Sequence, residues 1–275
     1  MNANLNAFDT PDVAAYYLAR TFISPCEKLV FDRYILPGMA VLDVGVGGGR
    51  TTAYLYPNAS RYVGIDYAEE MIRVCKNRFP HLEFRRVDAS DLSCFPAGSF
   101  DAVLMAYNGI DSLPPEGRIR FLQECSRVLR RGGIFIFSAH NVRAVLVRAT
   151  WSREKVRAVA DRLSFGKKPL ALMIAALLAC VAAGRALARA AWASLLRSRR
   201  IATAAFWAGD GYLLDRAHGG LLCHYSIPKY VVAEVERHGF ECRETLGEDY
   251  PEDASQLFTK WYYYVFLKAD PNVTS

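Results

Sequence analysis

The sequence predicts an α/β fold in which helices cover both faces of a mostly parallel sheet, and three observations lead to this fold class. Between residues 39 and 137, short apolar runs typical of buried strands alternate with helical patterns. The first run opens directly into a glycine-rich segment at 45–49. The composition, 52% hydrophobic and 23% charged, is that of a globular chain, and 275 residues suffice to bury a full core.

The cysteines and the start of the chain indicate the cellular compartment. Seven cysteines are scattered without a C-x-x-C pair, which favours neither a disulfide framework nor a zinc site. The first twelve residues have no basic start and no apolar stretch, so they are not typical of a secretory signal. We therefore expect a cytoplasmic protein without a bound metal.

Two helices are predicted before the first strand. Thr10 precedes Pro11, and Ser24 precedes Pro25 with Glu27 three residues on, which is a capping box. A later helix begins near Pro115 and is expected to stop at Gly132-Gly133. The other predicted elements of this part are a strand at 39–44, strands at 62–66, 82–87, 100–106 and 134–137, and a helix near 68–79.

The alternation stops after Asn141 and resumes about 85 residues later with a helix at 228–238. Two more apolar runs follow, at 240–246 and 261–267. Both faces of the last run are apolar, so we predict an interior strand there.

The glycine segment excludes two common nucleotide sites. The dinucleotide fingerprint needs Gly or Ala where this chain has Arg50, and no Gly-Lys-Ser/Thr follows as a phosphate-binding Walker loop requires. Instead the chain has Asp43 in the pattern D-x-G-x-G-x-G, and further acids, Asp66 and Asp88, end the next two strands. Carboxyl ends of parallel strands are where such sheets bind ligands.

With these residues the sequence resembles the class I S-adenosylmethionine-dependent methyltransferases. The resemblance covers about residues 38–142, in the blocks V-L-D-V-G-V-G-G-G, V-G-I-D-Y-A-E-E-M, V-D-A-S-D-L, F-D-A-V-L and V-L-R-R-G-G. It implies a Rossmann-like, seven-stranded sheet with an antiparallel C-terminal hairpin. It also implies S-adenosyl-L-methionine as cofactor and S-adenosyl-L-homocysteine as product.

The resemblance places Asp43 near the methionine amino group, Asp66 on the ribose, and Asp88 with Ala89 at the adenine. Glycines allow the backbone to approach the ligand closely. The full set of cofactor-binding residues that we predict is Asp43, Gly45, Gly47, Gly49, Asp66, Tyr67, Met71, Asp88, Ala89 and Ala106. We divide the chain into a cofactor-binding core at 1–141, an insertion and substrate lid at 142–227, and the C-terminal part of the core at 228–275.

An acceptor that carries a proton needs a base, and a histidine suits that task near neutral pH. The candidates are His140, His224 and Asp111; a hydrogen-bonded loop role for His140 stays open. We expect the segment 209–225 to be an irregular loop that lines the acceptor pocket, with a surface lid that has no chemical role as the alternative. The substrate-binding residues that we predict are Tyr107, Asn108, Asn141, Asp210, Tyr212, His218 and Tyr225.

The predicted insertion is basic, helix-prone and in part apolar. Residues 143–200 contain 13 Lys/Arg against 2 Asp/Glu, and 169–184 contain no charge. Such a helix measures ~24 Å, short of the ~30 Å that a membrane span needs. Three arrangements stay open for 169–196: burial against the protein or in a homodimer, contact with an anionic membrane surface, and insertion. Nucleic acid is disfavoured, since few aromatic residues interleave the charges.

The sequence thus favours a methyltransferase that acts on an oxygen of a small metabolite, a sugar or a lipid-linked glycan. Methylation of a nitrogen in a small metabolite is one alternative. The other is a non-catalytic module that keeps the cofactor fold to bind a membrane or a partner. Intact acidic and glycine positions at 43–49, 66 and 88 argue against that last alternative.

Overall fold

The computed structural model describes residues 8–144, 204–215 and 221–269. Two helices open this part of the chain, α1 (Pro11–Leu18) and α2 (Pro25–Tyr34). The Thr10 side chain caps α1, and Ser24 and Glu27 form the expected capping box on α2. Both predicted N-terminal helices are therefore confirmed.

A seven-stranded sheet forms the centre of the molecule. Its strands are β1 (Ala40–Val44), β2 (Arg61–Asp66), β3 (Glu83–Arg86), β4 (Phe100–Met105), β5 (Leu129–His140), β8 (Phe240–Gly247) and β9 (Trp261–Lys268). They lie in the order β3-β2-β1-β4-β5-β9-β8, in which the first five run parallel and β9 is antiparallel to both β5 and β8. This confirms the predicted Rossmann-like sheet with an antiparallel C-terminal pair.

Helices on both faces of the sheet bury its apolar side chains. One core includes Phe121 of the helix after β4 and Phe135 of β5, and the other includes Val30 of α2 and Ile136 of β5. Neighbouring side chains of one strand thus point into opposite cores. The remaining helices are α3 (Thr52–Leu55), α4 (Glu69–Arg78), α5 (Pro115–Val128) and α6 (Pro228–Glu236), with 3-10 turns at Tyr56–Asn58 and Gly109–Ser112.

Two segments differ from the prediction. Gly132-Gly133 does not end α5; the helix ends at Val128 and β5 already begins at Leu129. The expected irregular loop at 209–225 is wrong as well, because β6 (Asp210–Asp215) and β7 (Leu221–Ser226) form an antiparallel hairpin. Side chains of this hairpin pack in a core of their own with Val142 and Ile227, a tertiary contact that local sequence does not show.

The predicted insertion helix at 169–184 lies outside the described residues. Within the described ranges, no helix is both long enough and apolar enough to cross a membrane.

A buried ion pair joins α2 to the loop after β1. Glu27 Oε1 lies 2.5 Å from Arg50 Nη2, and the two side chains are 4% and 12% exposed. The Tyr263 hydroxyl of β9 donates to the same carboxylate oxygen at 2.5 Å. Burial opposes the charge on Glu27, but the bonds from Arg50, Tyr263 and Ser24 outweigh it and lower the pKa of Glu27.

We expect Glu27→Gln to lower the free energy of unfolding by ~3 kcal/mol at pH 7, since it leaves the buried Arg50 without a counter-charge. The lowered pKa means that this stabilisation is complete above the unfolded-state value and is lost as the pH falls through the folded-state value. Denaturant unfolding at several pH values measures it. Asp32→Asn is the control on the same helix, because Asp32 pairs with Lys28 in solvent and should change stability by less than ~1 kcal/mol.

Candidate active site

A cleft opens at the carboxyl ends of β1, β2 and β4, where the strand order of the sheet reverses. This is the position at which open α/β sheets bind ligands. The cleft has an empty volume of about 1180 Å³, part of it open to solvent. Ten predicted residues line it: Asp43, Gly45, Gly47, Asp66, Tyr67, Met71, Asp88, Ala89, Ala106 and Tyr107.

The glycine loop forms one wall of the cleft. Gly45 and Gly47 have φ angles of +67° and +55°, a conformation that few residues other than glycine adopt at low cost. The N–H of Gly47 donates to Asp66 Oδ2 at 3.0 Å, so the loop is tied to the end of β2. Gly49 does not line the cleft; a Cβ there would lie 2.9 Å from the Phe79 ring, so this glycine serves helix packing.

Asp43 is buried beneath the loop at 1% exposure. Its Oδ2 accepts hydrogen bonds from Thr51 Oγ1 at 2.5 Å and from the Tyr62 hydroxyl at 2.6 Å. Burial raises the pKa of Asp43 to about 6, although both bonds act in the opposite direction. Asp43 therefore fixes the end of the glycine loop through Thr51, and it also lines the cleft.

Asp66 presents a second buried carboxylate, from the end of β2. Oδ1 accepts from the N–H of Ala68 at 3.0 Å, and Oδ2 accepts from the loop. Burial raises the pKa of Asp66 to about 6 as well. Each oxygen can accept a second hydrogen bond from a ligand in the cleft.

Asp88 differs from the two other acids because it is exposed. Its Oδ1 accepts from both the N–H and the hydroxyl of Ser90, each at 2.8 Å. Ala89 beside it is buried in the cleft wall. The strand-end acids thus stand in two environments, two buried and one at the rim.

Helix α1 covers the cleft, which our sequence analysis missed. Phe8, Tyr17 and Arg20 line the cleft from this side. A Cβ on Gly48 would lie 2.6 Å from backbone atoms of Tyr17 and Leu18, so the helix end rests directly on the glycine loop. Gly48, the middle glycine of the run G-G-G at 47–49, is the sequence signal for such a contact.

Arg20 brings a positive charge to the cleft. Its guanidinium donates to the hydroxyls of Tyr16 and Tyr107 and lies 4.4 Å above the centre of the Tyr16 ring. Among the described residues it forms no ion pair with a carboxylate, whereas Arg50, the other arginine of the cleft, is paired with Glu27. Arg20 can therefore receive an anionic group of a ligand.

The turn after β4 has an unusual backbone. Tyr107 and Asn108 both have left-handed φ angles, +57° and +61°, which is rare for consecutive non-glycine residues. The N–H of Asn108 donates to Ser138 Oγ at 2.8 Å, and this bond holds the turn against β5. Tyr107 faces the cleft, whereas Asn108 is buried behind it.

His140 ends β5 next to this turn. Its Nδ1 lies 2.9 Å from Asp111 Oδ2 and its Nε2 lies 3.1 Å from Asn108 Nδ2. A carboxylate accepts only, and an amide nitrogen donates only. With the Asn108 amide in this orientation, the two contacts fit a ring that carries its proton on Nδ1 and accepts a hydrogen bond at Nε2. The Tyr225 ring stacks on the other side at 4.7 Å, so the structure brings three predicted residues around His140.

The other predicted residues have separate positions. His224 Nε2 lies 2.9 Å from Asp210 Oδ1, within a second, shallow cavity beside α6. Tyr212 donates to the carbonyl of Leu113, a cleft residue. Asn141 donates to the carbonyls at 256 and 259 and so has a structural task. His218 lies outside the described residues.

The fold is an open α/β sheet whose cleft lies where such sheets bind nucleotide cofactors. Residues 41–133 match the family model described as a methyltransferase domain. The match covers about a third of the chain, and the sheet topology is that of the class I S-adenosylmethionine-dependent methyltransferases.

Curated relatives match a similar length of the chain. The fatty-acid O-methyltransferase of Mycolicibacterium smegmatis is 39% identical over 105 residues, which are 37% of this chain and 37% of that protein. The phthiotriol/phenolphthiotriol dimycocerosates methyltransferase of Mycobacterium tuberculosis is 39% identical over 107 residues, 38% of each chain. The chain thus spans less than half the length of these relatives.

Solved structures share the fold over most of the chain. The 1,6-didemethyltoxoflavin-N1-methyltransferase of Burkholderia thailandensis, solved with S-adenosylhomocysteine, superposes with a TM-score of 0.56. It is 14% identical, and the match covers 94% of this chain and 83% of that one. This similarity extends the shared architecture beyond residues 41–133.

We expect Gly48→Ala to weaken binding of S-adenosylhomocysteine by at least ~10-fold, because the added methyl group pushes α1 off the loop. Isothermal calorimetry measures the affinity. Gly132→Ala is the control: its φ of +66° strains the backbone, but the Cβ meets no atom within 4 Å. That variant should lose stability and keep its affinity, and equal affinity losses in both variants would contradict the role of α1.

Proposed function

We propose that this protein is an S-adenosylmethionine-dependent methyltransferase that methylates an oxygen of a small metabolite, a sugar or a lipid-linked glycan. The observation that carries the proposal is the cleft itself. In it the buried Asp66 carboxylate and the glycine loop line one side, and on the other lies Arg20, which forms no ion pair with a carboxylate of the described residues.

The residues of the cleft fit the chemical groups of this cofactor. Asp66 can accept both ribose hydroxyls, and the close backbone approach at Gly45 and Gly47 leaves room for the methionyl chain. Arg20 supplies the counter-charge for the methionine carboxylate. Ala89 and Ala106 present small apolar surfaces for the adenine. When bound, the cofactor supplies a methyl group already activated by its sulfonium leaving group.

The protein then contributes alignment and exclusion of water. Helix α1 covers the cleft, and the strained turn at Tyr107 and Asn108 borders the place where an acceptor must enter. A hydroxyl acceptor must also lose a proton. We assign that proton to Nε2 of His140, which must first exchange its hydrogen bond from the Asn108 amide for one from the acceptor hydroxyl, and whose Nδ1–H is held by Asp111.

Oxygen as the accepting atom agrees with the name of one matching relative, a fatty-acid O-methyltransferase. The main alternative is nitrogen, supported by the shared fold of the N1-methyltransferase. A neutral amine attacks through its own lone pair and needs no base. A non-catalytic module is the other alternative, and the intact cleft disfavours it.

For residues 169–196 we propose contact with an anionic membrane surface or a second copy of the chain, on the basis of their charge and apolar sequence.

Asp66→Ala should weaken S-adenosylhomocysteine binding by ~1.5–3 kcal/mol, because the ribose loses a charged hydrogen-bond acceptor. Calorimetry in the wild type should also show weaker binding as the pH falls through about 6, where Asp66 takes up a proton. No binding by the wild type would exclude the proposed function. Unchanged affinity in the variant would remove Asp66 from the ribose.

His140→Ala should reduce methyl transfer to a hydroxyl acceptor by ~100-fold and leave S-adenosylhomocysteine affinity unchanged. Transfer from methyl-labelled donor to a panel of alcohols, phenols, sugars and amines measures it. His224→Ala is the matched control, since its Asp210 pair lies beside α6 and outside the cleft. Full activity of His140→Ala on a hydroxyl acceptor would contradict the base, and transfer to amines alone would favour the N-methyltransferase.

A further inference from the structure

A buried arginine stands behind the His140–Asp111 pair. Arg118 of α5 is 1% exposed, and its Nη1 lies 3.3 Å from Asp111 Oδ1. The opposite carboxylate oxygen, Oδ2, receives both Nδ1 and the backbone N–H of His140, at 2.9 and 2.7 Å. Asp111 Oδ1 therefore contacts the Arg118 cation, and Asp111 Oδ2 contacts His140.

Arg118 has a second acidic partner. Its Nε lies 3.0 and 2.9 Å from the two carboxylate oxygens of Glu234 on α6, and its Nη2 lies 2.9 Å from Oε2. The Glu234 side chain is 24% exposed, whereas that of Asp111 is 1% exposed. The charge of Arg118 is therefore shared between one carboxylate that has contact with water and one that has none.

From this geometry we infer that Arg118 is a positioning residue that keeps His140 neutral and in the tautomer required of a base. The inference rests on the proposed function, because it concerns the proton acceptor of that reaction. A buried carboxylate without a cation relies on hydrogen bonds and more readily takes up a proton, as at Asp43 and Asp66, whereas a cation beside it favours the charged form. If Arg118 did not fill that place, His140 would be the nearest group to do so, as an imidazolium without a free lone pair.

Other groups around His140 leave this task to Arg118. The groups that face the ring directly are Asn108, Asp111 and Tyr225, and Trp261 lies opposite on β9. The titratable groups near Asp111 and Arg118 are Glu234, Tyr212 and Tyr264, and Asp210 with its partner His224 lies within the field of Arg118. Within the described residues, Arg118 is the cation in contact with Asp111, whereas the exposed Arg237 lines the cavity beside Glu234 and Asp210.

The test follows the titration of His140 by NMR with isotope-labelled histidine, with the signal assigned by its loss in His140→Gln. The wild type should show neutral His140 with the proton on Nδ1. Arg118→Met should move the titration midpoint up by ~1 pH unit and Arg118→Lys by less, because His140 becomes the counter-charge of Asp111. Glu234→Gln should move it down, since Arg118 then serves Asp111 alone.

Calorimetry with S-adenosylhomocysteine distinguishes a failure of the proposed function from a failure of the inference about Arg118. Wild-type binding tests the proposed function, and the midpoints test Arg118. An unchanged or lower midpoint in a folded Arg118→Met variant overturns the inference, as does an Nε2–H tautomer in the wild type. If Arg118→Met does not fold, Glu234→Gln decides: a lower midpoint supports the inference, and an unchanged or higher one overturns it.

Discussion

The buried carboxylate of Glu27 is the interaction on which the cofactor cleft depends. It caps α2, pairs with Arg50 at the end of the glycine loop, and accepts from Tyr263 on the last strand. These contacts join three segments that are far apart in sequence. Arg50 stands where the dinucleotide fingerprint requires Gly or Ala. Its ion pair with Glu27 anchors the glycine loop to the rest of the fold. The departure from that motif has a structural cause.

A series of hydrogen bonds connects the Glu27 carboxylate to the residues around His140. Tyr263 shares a hydrogen bond with Ser138, and Ser138 accepts from the backbone of Asn108. Asn108 in turn contacts His140 through its side-chain amide. A carboxyl group beneath the cofactor cleft is thereby linked to the strained turn that borders the cleft. This continuity explains how a left-handed pair of non-glycine residues is held in place.

The sequence predicted the parts of the site that are local. Asp43, Asp66 and the glycines lie at strand ends, and strand ends can be recognised from apolar runs and spacing. The cover formed by α1, the β6–β7 hairpin and the burial of Arg118 could not be predicted in this way. Each arises from packing between distant segments. Arg118 in particular follows Pro115 in a helix whose charged residues, on sequence alone, are typical of a solvated face.

The family match covers the local parts of the site and leaves out several of the distant ones. Residues 41–133, which match the family model, contain the glycine loop and the acids of the cleft. Arg20, His140 and Tyr225 lie outside that range, as does Glu234. The acceptor side is therefore built partly from segments beyond the family match and partly from Tyr107, Asn108 and Asp111 within it. The family match consequently says more about the methyl donor than about the acceptor, whose choice we expect to depend on the polar contacts around His140.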